Sequence, residues 1–176
     1  MCDGLDHMLR PDKPRRKDML IIYGKDFSFG VKEPENWHCY TEDAYRYKLN
    51  AYFCLEKTNI DSSPAIMNIR VLDKHGYSVQ HNLAFDMEKY RKQTNKAEFL
   101  AFNVGKLRYE YASKKYLIDN LTADYVCYID PGDKLPLCLI FVLHGPKDEC
   151  KKYEKDFIEL VKSFTWLTGD VRGLKK

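Results

Sequence analysis

The stretch Cys150-Lys151-Lys152-Tyr153-Glu154-Lys155-Asp156-Phe157-Ile158-Glu159-Leu160-Val161-Lys162-Ser163-Phe164 decides the fold. Cys150, Tyr153, Phe157, Leu160, Val161 and Phe164 recur at helical spacing, and Lys151, Lys152, Lys155, Glu159 and Lys162 fall on the other side, so the segment predicts a helix with one apolar face. That face must be covered. At about 1.5 to 3 kcal/mol for each large side chain, burying four of them contributes roughly 6 to 12 kcal/mol, an upper bound against an extended unfolded chain.

What lies upstream is a sheet. Residues 100–104, 107–118, 125–129 and 137–143 read as four consecutive strands, with Pro131-Gly132-Asp133 as a tight turn, which predicts an antiparallel meander. Between residues 78 and 92 the period changes. Val79, Leu83, Met87 and Tyr90 fall on one helical face and Ser78 is placed to cap it. Further out, residues 19–23 and the alternating 27–31 flank Gly24-Lys25-Asp26 as a β-hairpin, and Pro34 ends the second strand. Residues 41–50 read as a short helix capped by Thr41, and residues 51–55 and 65–71 as strands around a loop of turn-forming residues ending at Pro64. The expected fold class is α/β (α+β), a mostly antiparallel central sheet with helices from the middle and the C-terminal end. Residues 18–168 form one expected domain, 1–17 a flexible basic tail and 169–176 a frayed end.

The order of these elements and several residues resemble the PsbP-like family, whose fold is shared with Ran-binding Mog-type proteins. The resemblance rests on Phe27-Ser28-Phe29 followed by Pro34 and Trp37, on Ala51-Tyr52-Phe53, and on Ser63-Pro64 before Ala65-Ile66-Met67-Asn68-Ile69. Tyr125-Val126-Cys127-Tyr128-Ile129-Asp130 and the closing 157–164 segment complete it, over roughly residues 19 to 167. It implies an α/β/α sandwich and a non-catalytic accessory or binding role. The matched positions are structural, so the resemblance carries over no binding residue.

Composition excludes several classes. The 176 residues carry 44% hydrophobic and 31% charged residues, the balance of an ordinary globular chain rather than a disordered or fibrous one. A net charge of +3 from 29 basic and 26 acidic residues, spread along the chain, gives no field suited to nucleic acid. No apolar run approaches the roughly 18 residues of a membrane span. The six cysteines, at 2, 39, 54, 127, 138 and 150, form no CxxC or zinc spacing, and those within strand-like runs are expected to be buried thiols. As written the chain has no export signal and reads as cytoplasmic. Had a signal peptide been removed ahead of it, Cys2 would stand at the lipid-anchor position of an exported lipoprotein.

No GxSxG, phosphate-binding loop, GxGxxG, HExxH or calcium-loop motif occurs, and His75 and His81, six apart, fit no ligand spacing. No catalytic residue, metal or cofactor is therefore assigned. Adjacent His38 and Cys39 point apart on an extended segment, and Asp130-Pro131-Gly132-Asp133 reads as a turn before an acid pair. Two aromatic groups are candidate contact surfaces: Trp37 with Tyr40, Tyr45 and Tyr47, and Tyr109 with Tyr111, since Tyr and Trp make rigid anchors. Core packing is the competing reading for both. The sequence thus points to a non-enzymatic protein with a protein partner and no nucleic acid. The rival is a small-molecule binder or enzyme assembled from dispersed residues such as His38, His75 and Asp130.

Overall fold

The chain is described by a computed structural model over residues 19–94, 96–132 and 135–167. The expected tail and frayed end, the anchor candidate Cys2, His7 and the turn residue Asp133 lie outside those residues.

Strands β1 (Met19–Tyr23) and β2 (Ser28–Lys32) form the expected hairpin, closed at Tyr23 opposite Ser28, with Gly24 N–H donating to the Phe27 carbonyl at 2.9 Å. Then follow β3 (Trp37–Tyr40), β4 (Ala51–Leu55) and β5 (Ile66–Asp73). Helix α1 (Val79–Gln93) starts as the sequence predicts, the Ser78 hydroxyl accepting from His81 N–H at 3.2 Å. After it come β6 (Ala97–Ala101), β7 (Glu110–Ile118), β8 (Thr122–Asp130) and β9 (Leu137–Pro146). The chain closes with α2 (Lys147–Lys152), α3 (Glu154–Ser163) and the two-residue β10 (Thr165–Trp166).

Seven strands make one antiparallel sheet in the order β3-β4-β5-β9-β8-β7-β6. One face is closed by α2 and α3 together with a second sheet, β1-β2-β10, in which the short last strand pairs Thr165 with Gly30 and Trp166 with Phe29. The main core fills this space: Phe29 from β2, Phe53, Met67 and Phe141 from the large sheet, and Phe157 and Leu160 from α3. On the opposite face α1 packs mainly against β6, β7 and β8, with Val79 and Leu83 in one cluster with Tyr116, Val126 and Tyr128 and with Ile140 and Val142 of β9.

The hairpin forms the second sheet, with β10 as its third strand. Three expectations need correction. Residues 41–50 give only one 3-10 turn, Ala44–Tyr47, since the chain leaves it at Lys48 with φ +58°, a left-handed residue that ends a helix. Pro34 ends β2, yet pairing resumes within three residues, Trp37 standing opposite Leu55. The C-terminal amphipathic run is two helices, broken at Tyr153 (φ −98°, ψ 11°), whose ring meets Trp37 edge-on at 5.2 Å.

Candidate functional site

Along β5, side chains alternate between the two faces of the sheet. Met67 and Ile69 enter the main core, whereas Asn68 and Arg70 turn to the face that α1 only half covers. Register extends that face across the sheet: Ile66 lies opposite His144, His144 opposite Asp124, and Asp124 opposite Tyr116. In the next row Asn68 lies opposite Val142, and in the one after that Arg70 lies opposite Ile140. The open half is a cleft of about 470 Å³. Its floor carries Asn68, Arg70, Val126, Ile140, Val142 and His144; one wall is α1, through Asp86, Lys89 and Tyr90; the other is Tyr47, Leu49 and Ile60.

The cleft's carboxylates already have donors. The Tyr116 hydroxyl donates to Asp86 Oδ2 at 3.0 Å, and burial raises the Asp86 carboxyl above its usual range against the pull of that bond and of Lys89 and Arg70. The Tyr90 hydroxyl donates to Asp124 Oδ2 at 2.7 Å, and His144 Nδ1 lies 2.5 Å from Asp124 Oδ1. That bond raises the His144 pKa above its usual 6.5, and desolvation opposes it. Tyr90 and Tyr116 are held protonated, their pKa values raised first by burial and then by the neighbouring carboxylates.

The cations are placed differently. Neither Arg70 nor Lys89 forms an ion pair within 4.0 Å among the described residues. Beside Arg70 on the floor, Asn68 is only 9% exposed and its Oδ1 has no hydrogen-bond partner among the described residues. A buried polar atom left unpaired is uncommon and costly, and Asn68 Oδ1 shares that state with Asn82 Nδ2 and Glu149 Oε2 among the described residues.

The aromatic candidates are dispersed. Trp37 is buried on the α3 face, its Nε1–H donating to Asp156 Oδ2 at 3.0 Å, while Tyr40 and Tyr47 lie against Tyr52 on the opposite face. Of the six aromatics, Tyr47 alone lines the cleft; Tyr45 stands 69% exposed outside it. Tyr109 packs on Phe164 and accepts from Trp166 N–H at 2.9 Å, and the Tyr111 hydroxyl reaches Asn103 Oδ1 and the Gly105 carbonyl, both at 2.9 Å. His38, His75 and Asp130 do not converge. His38 belongs to the row that begins β5 and His75 follows its end, a separation of about 23 Å at roughly 3.3 Å per residue. Asp130 is bound instead to Lys74, at 3.0 and 3.2 Å. The residues that sequence reading missed, Asn68, Arg70, Asp124 and His144, share one signal: each is polar within or at the end of a strand run that is otherwise apolar.

The chain is similar to one solved PsbP. That protein is cyanobacterial PsbP (CyanoP) from Synechocystis sp. PCC 6803, in its solution structure, at 9% sequence identity and a TM-score of 0.49, over 86% of this chain and 94% of that one. No protein-family model matches the sequence. No curated protein matches it.

Proposed function

We propose that this is a non-enzymatic binding protein that receives an anionic group of a protein partner in the cleft beside α1, with Arg70 as its anchor. One observation carries the reading: the acids of the cleft are paired within the protein, while the cations Arg70 and Lys89 make no ion pair among the described residues. An incoming anion therefore meets two cations that act on Asp86 only at longer range, and an incoming cation would have to compete with Tyr90, Tyr116 and His144 for carboxylates already satisfied. Tyr47, Leu49 and Ile60 supply an apolar wall against which the rest of the partner segment packs.

A titration of the isotope-labelled chain with acetate, phosphate and methylammonium, followed by amide NMR, tests this. Both anions should move resonances of β5 around Arg70 and of α1 around Lys89, methylammonium should not, and Arg70→Met should remove the response. Shifts scattered over the surface, or none, would end the proposal.

A second reading has an observation of its own. The Asp124–His144 pair, at 2.5 Å, is the carboxylate–imidazole arrangement that orients a general base. Among the described residues lining the cleft there is no serine, threonine or cysteine to act as nucleophile, so such a base would have to activate water. Hydrolysis of a simple ester that His144→Gln abolishes would favour it over the binding role.

A further inference from the structure

We infer that the anion recognised in this cleft is an α-acylamino carboxylate, the group that ends a peptide chain, held by Arg70 through its carboxylate and by Asn68 through its amide N–H. This rests on the anion-binding reading and narrows it. Asn68 and Arg70 are two apart on one strand and face the same cleft, so their Cα atoms stand about 6.6 Å apart and the long arginine side chain can bring its fork close to the asparagine amide. Arg70 offers paired N–H donors that fit the two oxygens of a carboxylate. Asn68 Oδ1 lacks a donor, and its amide turns about a soft terminal torsion to meet one. A ligand satisfying both carries a carboxylate and a hydrogen-bond donor a few bonds apart, and the last amide N–H of a peptide is the donor assigned to that role.

Phosphate fits less well. Its O–H can donate to Asn68 Oδ1, but its second negative charge would face Asp86 and Asp124, which line the same cleft. The apolar floor residues Val126, Ile140 and Val142, with Leu49 and Ile60 on the wall, suit an aliphatic side chain on the terminal residue.

Four probes separate the terms in the wild-type chain: N-acetylleucine, 4-methylpentanoate, which keeps the carboxylate and side chain without the amide, N-acetylleucinamide, which keeps the amide without the charge, and inorganic phosphate. N-acetylleucine should bind at least tenfold more tightly than each of the others. Asn68→Ala should reduce it to the level of 4-methylpentanoate, and Arg70→Met should reduce it to that of the amide. If 4-methylpentanoate or phosphate binds as well as N-acetylleucine, the inference falls and the anion site stands. If no anion binds, both fall. Because the ranking is read in unmodified protein, it holds whether or not a variant folds.

Discussion

Phe157 is the most direct test of how the molecule is closed. It is 0% exposed, projects from α3 into the main core, and lies 6.1 Å from the Phe102 ring. Truncation to alanine removes the ring and leaves a cavity between α3 and the large sheet, and fully buried Phe→Ala changes cost about 3 to 5 kcal/mol. For a chain of this length each kcal/mol lowers the melting temperature by about 2 to 4 °C, so Phe157→Ala should melt about 6 to 20 °C lower. Phe85 is the internal control, since it stands 71% exposed on α1, and its replacement by alanine should change stability by no more than about 0.5 kcal/mol. Urea unfolding followed by tryptophan fluorescence reads both, because Trp37 is buried on the same face as α3 and bonded to Asp156 on it. A loss below about 1 kcal/mol for Phe157→Ala, or equal losses for the two variants, would show that α3 does not close the core.

Three further outcomes follow from the cleft and the thiols. His144 has its folded pKa raised by Asp124, so its stabilising contribution is full below about 6.5, the unfolded value, and is lost as pH rises through the higher folded value; His144→Gln should therefore be less stable than wild type at pH 5.5, with the gap closing at alkaline pH in parallel denaturation curves. Tyr116→Phe deletes the bond to Asp86 and should cost about 1.5 to 3 kcal/mol while that carboxyl is ionised, less as pH falls and Asp86 protonates, and a pH-independent loss would contradict the assignment. Burial pushes the thiols of Cys54 and Cys138 up to about 11 and of Cys39 and Cys150 up to about 12. A Cys2→Ser variant should accordingly give almost no colour with a disulfide reagent at pH 8 until guanidinium is added, and rapid reaction of the native protein would refute the burial.

The helices and the meander were legible because each is written in local periodicity. The steps from Val79 to Tyr90 and from Phe157 to Phe164 specify which side is buried before any partner is known, and Ser78 caps α1 through a bond three residues long. Sheet membership was not legible in the same way. Nothing in Phe27-Ser28-Phe29 distinguishes a hairpin added to the central sheet from one paired with Thr165-Trp166, because that choice is made by residues far along the chain. The aromatic residues around Trp37 are split between faces for a related reason. Trp37 and Tyr40 are three apart on a strand, an odd spacing that sends them to opposite faces, whereas nearness in sequence suggested a shared surface. The cleft itself draws on β5, α1, β8 and β9, and its residues come together only through register.

The cleft is a consequence of topology before it is a property of side chains. After β5 the chain crosses to the far edge of the sheet and enters β6, so the connecting helix packs mainly over β6, β7 and β8 and leaves a cleft over β9 and β5. Fifteen residues of helix span about 22 Å, too little to roof a seven-stranded sheet about 29 Å across. An uncovered face of this kind could be made harmless with alternating exposed charges, as on other solvated sheets. Here it is not. Asn68 is almost wholly buried with its Oδ1 unpaired and Arg70 beside it makes no ion pair among the described residues, while the alternate rows, Met67 with Leu143 and Ile69 with Phe141, fill the other face with apolar side chains. A face serving only stability would satisfy that amide internally or replace it with a residue of the Met67 kind. The proposed ligand would meet that hydrogen bond, and the first measurement to make is whether a carboxylate with an adjacent N–H takes it up.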